Sequence, residues 1–299
     1  MSLPDPAGAL RNLTPQHSFF VGIDSDGCAF DTMEIKHKEC FIPNIIAYWD
    51  LQPVSKYARE AAEFVNLYSK WRGINRWPAL VMVFDLLLER PEVQKRHVKI
   101  PAAPKVREFI KSGLPLGNPA LKDLVKQTGD AELQKALAWS EAVNKSVEWM
   151  VHGVPPFPFV RESLQKLQGT ADVIVVSATP GEALVREWQE HDIARYARVI
   201  AGQEMGSKKE HLAIATKGKY PGDHILMVGD APGDMQAARA NGALFFPVNP
   251  GHEDESWERF YSEAMGKFLA GEYAGAYEAR LVAEFEGLLP EVPPWKKVV

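Results

Sequence analysis

The sequence predicts an α/β protein, a parallel sheet interrupted directly after its first strand by an all-helical domain. Three observations carry that expectation. Apolar runs of strand length recur at Phe19 to Ile23, Asp172 to Ser177, Arg198 to Ala201, His224 to Val228 and Ala243 to Val248. The last four alternate with stretches of helical pattern, which implies parallel strands joined by helical crossovers. Between the first run and the other four, residues 31–154 show helical spacing and no convincing strand.

In chain order, residues 1–18 carry prolines without periodicity and are expected as a peripheral arm. The Phe19 strand has no sheet to join except the later one. Residues 1–30 and 155–299 are therefore assigned to one discontinuous sheet domain, and 31–154 to an inserted helical domain lying over the ligand crevice. Within the insertion, Lys56 to Trp71 places Tyr57, Ala61, Phe64, Val65 and Tyr68 at helical spacing, and Ala131 to Met150 does the same with Leu133, Leu137, Ala138, Val147 and Met150. Breaks at Pro53, Gly73, Pro91, Pro101, 113–119 and Gly129 divide it into about five or six helices. Two more helices, near 254–269 and 272–288, precede a proline-rich tail.

Composition narrows the function classes. With 46% apolar residues, 24% charged residues, a formal net charge of -5 and no basic block longer than a pair such as Lys208-Lys209, a nucleic-acid partner is not expected. The longest apolar stretch, Pro78 to Leu88, contains Asp85 and falls short of the roughly 20 residues that span a bilayer. Met1 to Arg11 lacks the order of a secretory leader, so a cytoplasmic protein without membrane contact is expected. Cys28 and Cys40 have neither disulfide-framework nor metal-site spacing.

Chemistry concentrates where the strands end. After Ile23 come Asp24 and Asp26, on one side of an extended segment, and Gly27 frees the backbone to turn. After Val176 come Ser177, Ala178 and Thr179. The Ser177 hydroxyl and the Ala178 backbone N–H suit an anionic oxygen, while Thr179 before Pro180 also fits a helix cap. Ser207 and Glu210 have capping-box spacing, which puts Lys208 in the first turn of a helix, an end disfavoured for cations unless an anion is near. After Val228, Gly229 leads to Asp230 and, four residues later, Asp234, which doubles as a candidate helix cap. Oxygen ligands without a His or Cys cluster point to a hard ion such as Mg²⁺.

The succession of acidic pair, hydroxyl, lysine and acidic pair resembles the haloacid dehalogenase superfamily, with Asp24-Ser25-Asp26-Gly27, Ser177, Lys208 and Gly229-Asp230 through Asp234 as its four motifs. The resemblance covers roughly residues 15–30 and 155–250. It implies a Rossmann-like core, a helical cap inserted after the first motif, and a Mg²⁺-dependent phosphatase acting on a small phosphorylated metabolite. On that resemblance Asp24 is the nucleophile that forms an aspartyl-phosphate. Asp26 is the acid and then the base, while Ser177 and Lys208 neutralise the phosphoryl group. Asp24 and Asp230 would bind Mg²⁺ through side chains, Asp26 through its carbonyl and Asp234 indirectly. Asp26 argues against the dehalogenase branch, which lacks that acid. In the insertion, Trp71 to Trp77 offers Arg72, Asn75 and Arg76 in a helix break as substrate-binding candidates. The alternatives are a phosphomutase of the same fold and a non-catalytic phospholigand-binding protein. A dinucleotide oxidoreductase is disfavoured because no glycine-rich fingerprint follows a strand.

Overall fold

A computed structural model describes residues 5–296 of the chain. They form two compact units, one of residues 5–32 and 153–289, the other of residues 33–152 and 290–296.

The first unit is built on five parallel strands, β1 (Phe19–Ile23), β2 (Ala171–Val176), β3 (Val199–Ala201), β4 (Ile225–Gly229) and β5 (Leu244–Pro247), in the order β3-β2-β1-β4-β5. The first strand to be made is thus the middle one, pairing with both β2 and β4. Covered on both faces, the strands read as continuous apolar runs. Val21, Ile23, Val173, Val175, Leu226 and Val228 face one layer of helices with Leu164, Trp257 and Phe260. Alternate residues Phe20, Ile174, Val176 and Met227 face a second layer with Leu212, Met235 and Phe285. Because the chain builds outward to β3 and then returns to the other side of β1, the ends of β1 and β4 flank the switch point at which open α/β sheets bind ligands.

The N-terminal arm is tied down by one buried carboxylate. Asp172, at the start of β2 and fully buried, accepts from the Gln16 and His17 backbone N–H groups at 2.9 and 3.1 Å, from the Tyr220 hydroxyl at 2.6 Å, and from Arg198. Burial would raise its pKa, but these donors outweigh burial and hold it below the usual carboxylate range.

In the helical unit the longer helices are Ile42–Tyr48, Ser55–Asn66, Arg76–Leu88, Pro104–Lys111, Asn118–Thr128 and Ala131–Met150. Its core centres on Trp77, whose ring meets Phe109 and Trp139 edge-on at centroid distances of 5.8 and 5.5 Å. The helix expected to reach Trp71 stops at Asn66, since Asn66 and Ser69 donate to carbonyls of its last turn and Arg72 Nη1 takes the Leu67 carbonyl at 2.9 Å. The tail also departs from expectation. Residues 290–296 belong with this unit and not with the sheet, because Trp295 packs on Phe64 at 5.7 Å beneath the Arg90 guanidinium and Lys70 pairs with Glu291. Proline prevents a helix there, and the tryptophan supplies the apolar surface that docks the segment. No helix among the described residues is long and apolar enough to cross a membrane.

Replacing Asp172 with Asn removes a buried charge from four donors. A loss of about 3 kcal/mol is expected, measured by urea unfolding at pH 7. Because the folded-state pKa is lowered, the wild-type advantage is present above the usual carboxylate range and is lost as pH falls through the lowered value.

Candidate active site

The ends of β1 and β4 and the helix after β3 bring Asp24, Asp230, Asp234 and Lys208 together. Asp24 continues β1 beyond its last residue, its N–H donating to the Val228 carbonyl at 3.0 Å. Gly27, at φ +75°, then reverses the chain, and the Cys28, Ala29 and Phe30 N–H groups converge on the Ser25 carbonyl. Asp24 and Asp26 diverge in environment. Asp24 is buried; its Oδ1 accepts from Ser25 N at 2.7 Å and its Oδ2 from Lys208 Nζ at 2.6 Å. Asp26 is half-buried, with Oδ1 accepting from the Thr32 hydroxyl at 2.5 Å and Oδ2 from the Thr179 hydroxyl at 2.6 Å. Ser25 points elsewhere, bonded to Trp188 Nε1 and Glu187.

The Ser207–Glu210 capping box forms as expected and starts the helix Lys208–Thr216. It presents Lys208 Nζ to Asp24 Oδ2 and Asp234 Oδ1, each at 2.6 Å, while Lys209 stays exposed. Asp234 lies in the first turn of the helix Pro232–Ala240 and also accepts from Ala231 N at 3.1 Å, so the capping and site roles coincide in one side chain. Its approach depends on Gly229: a Cβ there would lie 2.4 Å from that of Asp234. Ser177 ends β2, buried, and its Oγ accepts from Thr179 N at 3.2 Å, while Ala178 is exposed.

Asp24, Asp230 and Asp234 are all buried, and each offers a carboxylate oxygen within 4.8 Å of the others. An all-oxygen donor set carrying several negative charges against one lysine fits a hard divalent cation. The electrostatics point the same way. Burial, opposed by Lys208 and reinforced by Asp234 and Asp26, raises the Asp24 pKa to about 7. Burial also raises Asp234, and although burial opposes the charge on Lys208, the three carboxylates outweigh it and lift its pKa.

Sequence reasoning missed Thr179 and Thr32. Thr179 reads as a helix cap, but Pro180 occupies the N-cap position of the helix Gly181–Glu190 and the threonine hydroxyl goes to Asp26. Its position two residues beyond Ser177, on the same side of an extended segment, was the available signal. The residues proposed in the insertion have partners inside the helical unit. Arg72 is buried on the Leu67 carbonyl, Asn75 caps the helix Arg76–Leu88 by accepting from Trp77 N at 3.0 Å, and Arg76 reaches Ser140 and Asn144.

This geometry defines a class: an open parallel sheet with buried carboxylates at its switch point, bridged by a lysine from a neighbouring helix. A family model of the haloacid dehalogenase-like hydrolases matches residues 106–248. That match includes Ser177, Lys208, Asp230 and Asp234 and stops short of Asp24 and Asp26. Similar solved structures include a haloacid dehalogenase-superfamily hydrolase of subfamily IA, variant 1, from Geobacter sulfurreducens, at 14% identity over 79% of this chain and 89% of that chain, TM-score 0.39. A provisionally named phosphoglycolate phosphatase from Lactobacillus delbrueckii subsp. bulgaricus is 14% identical over 87% of this chain and 100% of that chain, TM-score 0.47. A haloacid dehalogenase-like hydrolase from Streptococcus pneumoniae is 14% identical over 82% and 90%, TM-score 0.42. No curated protein matches the chain.

Lys208→Met leaves the buried carboxylates without their cation, and a stability loss of about 3–5 kcal/mol at pH 7 in chelator is expected from denaturant titration. At pH 5 the loss should be smaller, because Asp24 takes up a proton as pH falls below about 7.

Proposed function

We propose that this protein is a phosphatase that hydrolyses a small phosphorylated metabolite through an aspartyl-phosphate on Asp24. The observation that carries the reading is the Lys208 ammonium held between Asp24 and Asp234, at 2.6 Å from each. It keeps a buried carboxylate available as an anion where a phosphoryl group would meet positive charge.

In this reading an Asp24 oxygen attacks phosphorus, the bond to the leaving oxygen breaks, and Asp26 delivers a proton to that oxygen. Water then attacks the acyl-phosphate while Asp26 takes up its proton, releasing inorganic phosphate and restoring the Asp24 carboxylate and the Asp26 carboxylic acid. Phosphoryl transfer needs positioning and charge neutralisation more than covalent help. Lys208 and the Ser177 hydroxyl supply them from the protein side. Asp24, Asp230 and Asp234, with the Asp26 carbonyl, form the proposed Mg²⁺ site, with Asp234 the indirect member, as the family resemblance implies. Bound there, Mg²⁺ would offset the charge of the phosphoryl oxygens. Thr179 and Thr32 orient Asp26 toward the leaving group.

The test is phosphate release from p-nitrophenyl phosphate and a panel of small alkyl phosphates. Release that needs Mg²⁺, stops with chelator and falls to background in Asp24→Asn is expected; a wild-type rate unaffected by Asp24→Asn would sink the assignment. Asp26→Asn should cost on the order of 10²-fold or more on alkyl phosphates, and less on p-nitrophenyl phosphate, whose leaving group needs little protonation. Thr179→Val should show the same contrast in weaker form, with Thr179→Ser restoring it. Protons and Mg²⁺ compete for Asp24, so the rise in melting temperature on adding Mg²⁺ should be large at pH 8 and small at pH 5.

A further inference from the structure

Arg76 is an anomaly within the helical unit. It stands at the first position of the helix Arg76–Leu88, where the helix dipole disfavours a cation. Its guanidinium lies over the Phe41 ring, 5.0 Å from the centroid, and is half-buried. Nη1 makes all its side-chain hydrogen bonds, to the Ser140 carbonyl at 3.2 Å, the Ser140 hydroxyl at 2.7 Å and Asn144 Oδ1 at 2.8 Å. Every one of these acceptors is neutral. Two other arginines of the same unit have carboxylate partners, Arg90 with Glu60 and Arg107 with Asp85. No described carboxylate pairs with Arg76, and burial lowers its pKa to about 10 with no neighbouring charge to offset the effect.

A partly buried cation without a counter-ion lowers the stability of the fold that holds it. Phe41, Ser140 and Asn144 nevertheless fix the guanidinium plane in one orientation, leaving the Nε and Nη2 edge as the face that matches two oxygens of a carboxylate or phosphate.

We propose that Arg76 is an anion-binding residue of the helical unit, taking a carboxylate or phosphate group bidentately through Nε and Nη2 while Nη1 remains on Ser140 and Asn144. The site is built from residues of the helical unit alone and does not depend on the phosphatase reading. Without a metal ion, that cluster repels anions, so experiments in chelator isolate the arginine site.

The experiment uses the full chain labelled with ¹⁵N-arginine, in chelator. The Arg76 Nε–H resonance, assigned by its loss in Arg76→Met or, should that variant not fold, in Arg76→Lys, is followed during titration with inorganic phosphate, with acetate, and with sodium chloride at matched ionic strength. A saturable shift of that resonance with phosphate or acetate and not with chloride is expected. Whichever anion saturates it identifies the group recognised. In parallel, wild type should gain melting temperature from that anion, over chloride, by more than Arg76→Met or Arg76→Lys gains. Shifts no different from those in chloride, or a variant that keeps the full anion-dependent gain, would overturn the proposal.

Discussion

The sheet unit is arranged around one ammonium group placed between two buried carboxylates. Lys208 reaches Asp24 at the exit of β1 and Asp234 beyond the exit of β4, joining two strand ends from the helix of the β3-to-β4 crossover. Several local features serve that contact. The Ser207–Glu210 capping box fixes where the lysine's helix begins, and the missing side chain of Gly229 lets Asp234 approach the strand end. Burial alone would protonate the carboxylates, and the lysine opposes this without balancing all of their charge. The fold therefore holds a deficit of positive charge at the one place where the sheet topology opens a crevice.

That topology places the acidic strand at the centre. With β1 paired on both sides, Asp24 emerges where the sheet changes winding direction, and Asp230 emerges beside it from β4. The parallel pairing also explains why every strand is apolar along its length and why charge appears only as each strand stops. The polar exception within the strands is structural: Asp172 sits at the opposite end of β2 and secures the N-terminal arm.

Much of this was legible in the sequence because it is written in local pattern. The five strands lie within a residue or two of the expected runs, and the helix Ala131–Met150 matches expectation at both ends because Asp130 caps it after Gly129 closes the preceding one. Lys208 was legible for a physical reason, since a lysine in a helix's first turn calls for an anion. Much of what was not legible depended on contacts that no sequence pattern marks, several of them distant in the chain. Thr179 and Thr32 converge on Asp26 from opposite sides of a gap of about 150 residues, and no spacing rule connects them. Trp295 finds Phe64 across most of the chain, which position alone could not foretell. Arg72 ends a helix through a carbonyl five residues earlier, a role that looks in sequence like an arginine set aside for a ligand.

The two carboxylates of the first motif are chemically alike, and their surroundings differ in a way that suits the roles proposed for them. Asp24 is met by an ammonium and a backbone N–H, groups that only donate hydrogen bonds and so favour the anion. A carboxylate held this way suits attack on phosphorus, and a proton on it would sacrifice one of its partners. Asp26 is met by two hydroxyls, which donate to a carboxylate and can also accept from a carboxylic acid. It can therefore gain or lose a proton by rotating a hydroxyl hydrogen, with no heavy atom forced to move. An acid that must protonate a leaving group and then deprotonate water requires that reversibility, and a nucleophile does not. The pairing of each carboxylate with its donors thus fits the proposed division between nucleophile and proton carrier before any substrate is considered.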